Sequence, residues 1–510
     1  MAGTMDPVVI GEVPLGVEAI VRIAGGAPVE LTAAAEARVV ASRDVVEEQL
    51  ARPEPVYGLN TGLGHMRDQR LTDEELRDYQ ELTVRMHDGG LGPPLPVPVV
   101  RAAMAVRLAG FVRGGAGVRL ITARAFAAML NAGVHPIVPS NGSVGASDLM
   151  HMAAIAQVLI GGGSAEYLGT RLPGADAMRR AGVPLAELGP KEGLALVSAN
   201  GVSIGQGALV VERAQRLMRA ADVVAAFSLE VMRGNPSIIE PAAAAAKPVL
   251  GQAEVAANLR ALLHGGAILE PGAPASVQDP LSFRVVPQVH GAARELVRFA
   301  RAAVEGELAA MDDNPLVVVD ERRLISNGNF HPMLMALAFD ALRPAIAHVG
   351  QISDRRMNHL WTKVFADPGH IFEVMGQMAA VGSGVMPRYA AGARYAELRQ
   401  LAQPATLDIA PLDLGQEDHA TAAPLTVRRT DEALDALEEI LTVELFLARD
   451  ALLVAPEPLR LGVGTAAALG ALAEACRAFA PATSTADIVA AVRPLLATTL
   501  LEVAEAAARA

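Results

Sequence analysis

A run of small polar residues, Ser140 to Leu149, has the composition of a tight turn that could also hold a reactive group. It reads Ser-Asn-Gly-Ser-Val-Gly-Ala-Ser-Asp-Leu, with two glycines and three serines. Glycine lets the backbone turn tightly and approach another group closely. One interpretation is a turn in which Ser147 or Asp148 caps a helix that begins at Leu149. The other is that Ala146 and Ser147 belong to an electrophile derived from the backbone.

A second glycine-rich loop, Tyr57 to Gly64, carries one of the five tyrosines of the chain. A tyrosine held in such a loop is a candidate general base or acid if its surroundings lower its pKa. The alternative is a tyrosine that only packs the loop, and this segment alone favours that alternative.

Three polar segments interrupt the helix-like second part of the chain, at residues 278–284, 326–331 and 416–419. Each alone is typical of a helix cap or a solvated face. Together they supply what an amino-acid-like substrate needs. Arg284 could bind a carboxylate in bidentate fashion, Glu417 could accept a hydrogen bond from a ring N–H, and Tyr57 could move a proton.

The same segments give little support to a metal site. Glu417, Asp418 and His419 are adjacent, and neighbouring residues on one helix point in different directions. No second group of histidines or cysteines in the sequence completes a ligand set. We therefore expect no metal ion.

Composition and charge narrow the partners and the compartment. The net charge of −13, without any block of basic residues, argues against a nucleic-acid surface. The single cysteine, Cys476, excludes an intrachain disulfide and favours a reducing compartment. The sequence begins without a basic segment followed by an apolar run, and no stretch of about 20 uninterrupted apolar residues occurs. These features predict a cytoplasmic protein without a signal peptide, a membrane span or a nucleic-acid partner.

Helical patterns dominate the chain. An alanine-rich composition with 3 % aromatic residues favours helix over sheet. Glycine-rich loops concentrate early, and long helical patterns follow. We predict a mainly α fold with a loop-rich active-site domain at residues 1–205 and a long-helix bundle domain at residues 206–510. Individual helices are predicted from Thr72 to Met86, from Leu149 to Ile160 and from Ile371 to Gln403, the last of them interrupted from Gly382 to Pro387.

The order of the motifs resembles that of the histidine and phenylalanine ammonia-lyase family over nearly the whole chain. The matching segments are residues 57–64, 131–139, 142–147, 189–196, 278–284, 313–316, 328–331 and 416–419. The resemblance implies a mostly α-helical ammonia-lyase fold, like that of fumarase and aspartase, with a long central helical bundle. It implies a homotetramer whose active sites combine loops from three subunits. It also implies β-elimination of an amine from an aromatic or imidazole amino acid, a small-molecule substrate, to give the unsaturated acid.

The resemblance also assigns roles to residues by position. Tyr57 matches the catalytic base, Arg284 the carboxylate-binding arginine, and Glu417 the residue that faces the substrate ring in histidine-type members. The other predicted substrate-binding residues are His87, Phe330, Asn60, Gln278 and Ser198. The Gln-Glu-Asp-His form of residues 416–419 is similar to the histidine and bacterial tyrosine branch.

One segment departs from the family pattern at the centre of the chemistry. In the family, an Ala-Ser-Gly triplet cyclises into a methylidene-imidazolone, an electrophile that captures the substrate amine. Here the triplet is Ala146-Ser147-Asp148, as if one glycine had been deleted. Cyclisation presses the third residue's amide nitrogen onto the first residue's carbonyl, and Asp148 should resist that compressed backbone. Ser147 remains a predicted catalytic residue, while Ser198 and Leu281 stand where the family has an asparagine and a tyrosine.

Three functional hypotheses follow. The first is a lyase that acts on a betaine without the methylidene-imidazolone and without a diffusible cofactor. A quaternary ammonium has no lone pair to capture and departs as a neutral amine, as in ergothionase, a relative of the family that eliminates trimethylamine from ergothioneine. The second is an ordinary histidine or aromatic ammonia-lyase whose electrophile forms from residues 146–148 despite Asp148. The third is a non-catalytic scaffold or binding protein.

Overall fold

Helices make up most of the protein. The computed structural model describes residues 5–11, 13–366, 376, 382–480 and 483–510. Within this part the α-helices are α1 Val17–Ala24, α2 Ala33–Leu50, α3 Asp73–Met86, α4 Val97–Arg113, α5 Leu120–Asn131, α6 Leu149–Leu159, α7 Gly174–Ala181, α8 Glu192–Val197, α9 Gly201–Val231, α10 Pro241–Ala246, α11 Leu250–Leu263, α12 Leu281–Arg284, α13 Val286–Ala309, α14 Met333–Val364, α15 Pro387–Leu401, α16 Ala423–Leu453, α17 Val463–Arg477, α18 Thr485–Leu495 and α19 Leu501–Arg509. The predicted mainly α class is confirmed.

The strands are short and pair locally. They are β1 Val8–Ile10, β2 Val29–Leu31, β3 Leu91–Pro94, β4 His135–Pro136, β5 Pro139–Asn141, β6 Ser164–Tyr167, β7 Thr170–Pro173, β8 Leu316–Val318 and β9 Arg323–Ile325. β1 and β2 are parallel, whereas β3–β5, β4–β6–β7 and β8–β9 are antiparallel. Such short ribbons brace loops rather than form a core.

The chain forms two compact units. The first unit consists of Met1–Glu212, Ala300–Phe339 and Pro404–Arg428, and the second of Arg213–Phe299, Asp340–Gln403 and Arg429–Ala510. The first unit thus includes two segments from late in the sequence, and all the strands described above belong to it. The division at residue 205 remains a sequence-based prediction.

Local sequence signals determine where α3, the helix that precedes His87, begins. The Thr72 hydroxyl accepts a hydrogen bond from the Glu75 N–H, and the Glu75 carboxylate accepts one from the Thr72 N–H, a reciprocal capping box. The helix ends at Met86, so the prediction of Thr72 to Met86 is confirmed. The predicted helix from Ile371 to Gln403 begins outside the described residues, and α15 covers its second part.

Apolar packing positions the loops that carry the candidate residues. In the first unit, Leu59 of the tyrosine loop packs with Val45 and Val46 of α2 and with Val317 of β8. In the second unit, Phe283 of α12 is buried in a cluster that includes Leu229 and Leu259. Each cluster immobilises the residue next to a candidate site residue, at a gain of roughly 1.5–3 kcal/mol for each buried side chain of this size.

Among the residues that the structure describes, two helical stretches are long and apolar enough to cross a membrane by length and composition alone, Glu192–Val231 and Met333–Val364. Their most apolar windows are 94 % and 56 % buried inside the protein. Core helices of this length give the same signal, so it is weak support for a membrane span.

Candidate active site

The tyrosine loop is held in a defined turn by its glycines. Gly58 and Gly64 have φ angles of +65° and +54°, in the region that favours glycine. A Cβ on Gly64 would lie 2.0 Å from the Asp413 carboxylate, so this position also needs glycine for space. The Tyr57 hydroxyl accepts a hydrogen bond from the Gly64 N–H at 3.3 Å. The loop therefore places the phenol oxygen beside the segment that carries Asp413.

Asn60 shapes this loop from within. Its side-chain oxygen accepts a hydrogen bond from the Val56 N–H at 2.7 Å, and its NH₂ group donates to the Glu54 carbonyl at 3.0 Å. Both ends of the buried amide are thus engaged with the backbone. Direct contact of Asn60 with substrate remains a prediction, and the observed bonds give it a role in loop geometry.

A turn at residues 412–417 presents Glu417 to the same region. The Leu412 N–H donates to the Glu417 carbonyl at 2.8 Å, and Asp413 and Leu414 have φ angles of +48° and +56°. The Asp413 carboxylate accepts from the His65 N–H at 2.9 Å and lies 2.5 Å from the His65 Nδ1. These bonds dock the turn against the end of the tyrosine loop.

Four half-buried groups, Tyr57, His87, Asp413 and Glu417, form what we call the tyrosine cluster. Burial raises the pKa of Tyr57, the charges of Glu417 and Asp413 raise it further, and the Gly64 N–H opposes them. Burial and Asp413 also raise the pKa of Glu417, while His87 lowers it. The lowered pKa that a tyrosine base requires is therefore not supplied by these residues, contrary to the condition set from the sequence. A bound positive charge would supply it.

His87 is oriented at the C-terminal end of α3. Its Nδ1 lies 2.7 Å from the Thr83 carbonyl oxygen. A carbonyl can only accept, so Nδ1 carries the proton and the neutral ring has its lone pair at Nε2. The predicted pocket residue thus lies near Glu417 with a defined tautomer.

Residues 145–148, which we call the serine turn, are buried and tightly held. Gly145 and Ser147 have φ angles of +84° and +61°. The Thr421 hydroxyl donates to the Gly145 carbonyl at 2.8 Å, and a Cβ on Gly145 would lie 2.2 Å from the hydroxyl oxygen. The Ser147 N–H donates to the Phe330 carbonyl at 3.0 Å. Ser147 keeps a conformation that is unusual for a residue with a side chain because its neighbours hold it there.

The side chain of Asp148 is bound to α9. The Asp148 N–H donates to the Ala199 carbonyl at 2.8 Å, and its carboxylate accepts from the N–H and the hydroxyl of Ser203 at 2.7 and 2.8 Å. Asp148 occupies the N-cap position of α6, which begins at Leu149 as predicted, but its side chain makes no capping bond to that helix. Burial raises the pKa of Asp148 to about 7, against the opposing Ser203 bonds.

Two residues that follow α8 complete the surroundings of the turn. The Ser198 hydroxyl lies 3.3 Å from the Ser147 hydroxyl. Asn200 donates from its side chain to the Phe330 carbonyl and from its backbone to Asp312, each at 3.0 Å. The buried Asn200 Oδ1 has no hydrogen-bond partner within the described part of the chain. Asn200 was not among the predicted site residues, although its position two residues beyond Ser198 was a usable signal.

A histidine pair lies beside Phe330. His331 Nε2 and His419 Nδ1 are 2.8 Å apart, and the Phe330 ring packs edge-on against His331. Burial and His419 lower the pKa of His331. The sequence placed these histidines in two separate motifs, and nothing local to either motif indicated the pairing.

The remaining predicted residues, Arg284 and Gln278, belong to the second unit. Arg356 donates to the Ser282 carbonyl at 3.1 Å and pairs with the Glu444 carboxylate at 2.6 and 2.8 Å. This buried pair holds α12, the short helix that carries Arg284. The Arg284 Nε is buried and has no partner among the described residues. Gln278 is exposed.

Among the described residues, metal-ligating side chains do not gather at the tyrosine cluster or at the serine turn. Within the ranges that the structure describes, no three histidine, cysteine or acidic side chains lie close enough to hold a metal ion.

Comparison with known proteins decides the family. Residues 15–474 match the aromatic amino acid lyase family. The chain belongs to this family. It is similar to histidine ammonia-lyase of Stigmatella aurantiaca, at 38 % identity over 443 residues that cover 86 % of each chain. It is also similar to histidine ammonia-lyase of Caldanaerobacter subterraneus subsp. tengcongensis, at 36 % identity over 452 residues and 88 % of each chain.

Solved structures confirm the predicted ammonia-lyase fold. Ergothionase from Treponema denticola, in complex with desmethyl-ergothioneine sulfonic acid, matches with a TM-score of 0.87 at 25 % identity, over 97 % of this chain and 99 % of that one. Tyrosine aminomutase from Streptomyces globisporus matches with a TM-score of 0.88 at 28 % identity, over 98 % of both chains. Histidine ammonia-lyase from Trypanosoma cruzi matches with a TM-score of 0.87 at 28 % identity, over 98 % of this chain and 95 % of that one.

These relationships establish the general activity. As a member of the aromatic amino acid lyase family with histidine ammonia-lyase relatives over most of its length, the chain is a carbon–nitrogen lyase. The non-catalytic alternative is thereby set aside.

Proposed function

We propose that this lyase eliminates a tertiary amine from the betaine of a histidine-like or aromatic amino acid, as ergothionase does, and that it works without a methylidene-imidazolone. The product is the α,β-unsaturated acid. The observation that carries this proposal is the environment of Asp148, the third residue of the triplet.

The contacts of Asp148 oppose ring closure. Cyclisation would have to transfer its amide nitrogen from the Ala199 carbonyl to the carbonyl carbon of Ala146. The same movement would pull the buried carboxylate away from the N–H and hydroxyl of Ser203. Removing the hydrogen-bond partners of a buried charged group costs roughly 1–3 kcal/mol or more in free energy. The residues present do not fit the electrophile, and the proposed reaction does not pass through it.

A betaine substrate makes the electrophile unnecessary. Tyr57 removes a proton from the β-carbon, the electron pair forms the Cα–Cβ double bond, and the C–N bond breaks with its electrons on nitrogen. The leaving group starts as a quaternary ammonium and departs as a neutral tertiary amine. Glu417 accepts a hydrogen bond from the ring, and Arg284 binds the carboxylate. No oxidant or further co-reactant is required.

The charge of such a substrate also suits the tyrosine cluster. The carboxylates of Glu417 and Asp413 hold the pKa of Tyr57 above its usual range. A quaternary ammonium bound nearby offsets both negative charges and stabilises the phenolate. Substrate binding would then activate the base, which is consistent with a cationic rather than a neutral amine.

Intact mass and the near-ultraviolet spectrum test this proposal. Formation of the methylidene-imidazolone expels two water molecules and creates a conjugated ring that borohydride destroys. We expect the purified protein to have the mass of its sequence, to lack the extra absorption, and to release trimethylamine from ergothioneine before and after borohydride treatment. The histidine ammonia-lyase of Stigmatella aurantiaca is the positive control. A mass lower by two waters, with activity abolished by borohydride, would contradict the proposal.

The second candidate is an electrophile-dependent histidine ammonia-lyase. The histidine ammonia-lyase relatives at 36–38 % identity and the presence of Glu417 favour it. Release of ammonia from histidine, measured beside release of trimethylamine from ergothioneine, separates the two candidates.

We also propose a cytoplasmic homotetramer with active sites shared between subunits, and no nucleic-acid or membrane partner. Light scattering measures the assembly. Mixing Tyr57→Phe and Arg284→Gln subunits should restore part of the activity that each variant lacks. Mixed tetramers, verified by native mass spectrometry, that stay inactive would contradict shared sites.

A further inference from the structure

A cleft of about 270 Å³ in the first unit contains two arginines that the proposed reaction does not use. Its apolar walls include Ile10, Leu15 and Val112, and Arg38 and Arg113 supply its charged groups. It shares no lining residue with the tyrosine cluster or the serine turn. Its volume is close to the lower end of small-molecule pockets, which begin at roughly 300 Å³.

Backbone carbonyls orient both arginines but do not neutralise them. Arg38 donates from Nε to the Val112 carbonyl at 2.9 Å and from Nη2 to the Gly11 carbonyl at 2.8 Å. Arg113 donates from Nη2 to the Leu308 carbonyl at 2.6 Å. Each guanidinium has five N–H donors, so several remain for another partner.

Arg38 and Arg113 lack a carboxylate partner within the part of the chain that the structure describes. Among the described residues, no ion pair includes Arg38 or Arg113, whereas Arg119 and Arg124 each pair with a glutamate at 2.7 Å. Burial lowers the pKa of Arg113, the positive charge of Arg38 lowers it further, and Asp312 opposes them. Two neighbouring, half-buried cations are unfavourable without an anion, because burying unpaired charge costs free energy.

We propose that this cleft is a second binding site, for a small carboxylic acid with an apolar body. The carboxylate would bind the free N–H groups of Arg38 and Arg113, whose planar forks match it in bidentate geometry. The body would lie against Ile10, Leu15 and Val112. These walls favour a monocarboxylate with a hydrocarbon or aromatic part over inorganic phosphate.

Isothermal titration calorimetry with benzoate tests the site in the full-length Arg284→Gln protein, which removes the carboxylate site of the proposed reaction. We expect one benzoate per chain, and affinity that falls at least about tenfold in Arg38→Gln or Arg113→Gln because a charge-assisted pair is lost. Arg124→Gln, which removes an exposed arginine bound to Glu36, is the matched control and should leave affinity unchanged. Affinity should also fall as salt increases.

Three results would overturn the proposal. They are failure of benzoate to bind, binding that persists in both glutamine variants, and phosphate binding as tightly as benzoate. Arg38→Lys and Arg113→Lys keep the charge and serve if a glutamine variant does not fold; they should weaken benzoate binding less than tenfold. Titration of the Arg284→Gln protein with the imidazole-containing unsaturated acid and with benzoate together shows whether the lyase's own product binds in this cleft. Because binding is measured without turnover, failure here is distinguishable from failure of the proposed reaction.

Discussion

The serine turn and the tyrosine cluster, both in the first unit, are built in opposite ways. In the serine turn, Ser147 and Asp148 are buried, and their backbone N–H groups donate to carbonyls. In the tyrosine cluster, Tyr57 and Glu417 are half-buried, and the charge of Glu417 raises the pKa of Tyr57. The hydrogen bonds of the serine turn hold one backbone conformation. The titratable groups of the tyrosine cluster can instead change protonation when a charged ligand binds. Substitutions should therefore alter stability in the turn, and rate and pH dependence in the cluster.

The largest effect is expected from Tyr57→Phe. Loss of a general base lowers kcat by about 10³-fold, within the usual range for such a group. The free energy of unfolding, measured in urea, should change by less than about 1 kcal/mol because the aromatic ring remains. Substrate affinity, measured by calorimetry, should persist. Turnover within tenfold of the wild type would mean that another group takes the proton. It would contradict the expectation that substitutions in the tyrosine cluster mainly alter rate.

The next effect is expected from Asp148→Ala in the serine turn. This change leaves the Ser203 N–H and hydroxyl without their buried acceptor, at a cost of about 3 kcal/mol in the free energy of unfolding. Urea denaturation measures it. Asp148→Asn keeps one acceptor oxygen and should lose less. A loss below about 0.5 kcal/mol for Asp148→Ala, typical of surface positions, would show that the turn is not stabilised by this contact.

The pH dependence of stability gives a third comparison. The pKa of Asp148 rises from 3.8 in the unfolded chain to about 7 in the fold, so the native state binds more protons between these values. Its contribution therefore makes stability fall as pH rises from about 4 to about 7. The half-buried His135 and the buried His151, each with a pKa lowered to about 4 by loss of solvent, act in the opposite direction.

The contributions of His135 and His151 cancel when the wild type is compared with a variant that changes only Asp148. The difference in unfolding free energy between the wild type and Asp148→Asn should become less favourable to the wild type as pH rises through this window. Urea melts at pH 4.5, 5.5 and 6.5 measure the trend. A difference that is flat with pH would contradict the raised pKa.

The smallest effect is expected from Glu417→Gln in the tyrosine cluster. Removing this negative charge lowers the pKa of Tyr57. The acidic limb of the kcat/KM profile, where the base becomes protonated, should move to lower pH by about one unit or less. Asp413→Asn should move it in the same direction, and Asp148→Asn should leave it in place. A shift to higher pH would contradict the charge coupling.

Local signals in the sequence predicted much of the fold. The capping box at Thr72 and Glu75 marks the start of α3. The order of the motifs indicated the family before any contact was known. Such features succeed because cause and effect lie within a few residues of each other.

Contacts between distant segments could not be predicted in this way. Asp148 and Ser203 are 55 residues apart, His331 and His419 are 88 apart, and Thr421 and Gly145 are 276 apart. The raised pKa of Tyr57 depends partly on Asp413, which belongs to no predicted motif. Asp413 and Leu414 both have positive φ angles, and this conformation brings the Asp413 side chain to the loop. No pattern in the sequence indicates such a conformation at residues other than glycine.

The two donated amides of the serine turn have a consequence for hydrogen exchange. Loops usually exchange their amide protons quickly, because little structure must open. Here the Ser147 and Asp148 protons are bound to carbonyls of Phe330 and Ala199, on segments far away in the sequence. Their exchange should therefore require a cooperative opening that includes all three segments. We expect the amide protons of this turn to take up deuterium more slowly than those of the other loops.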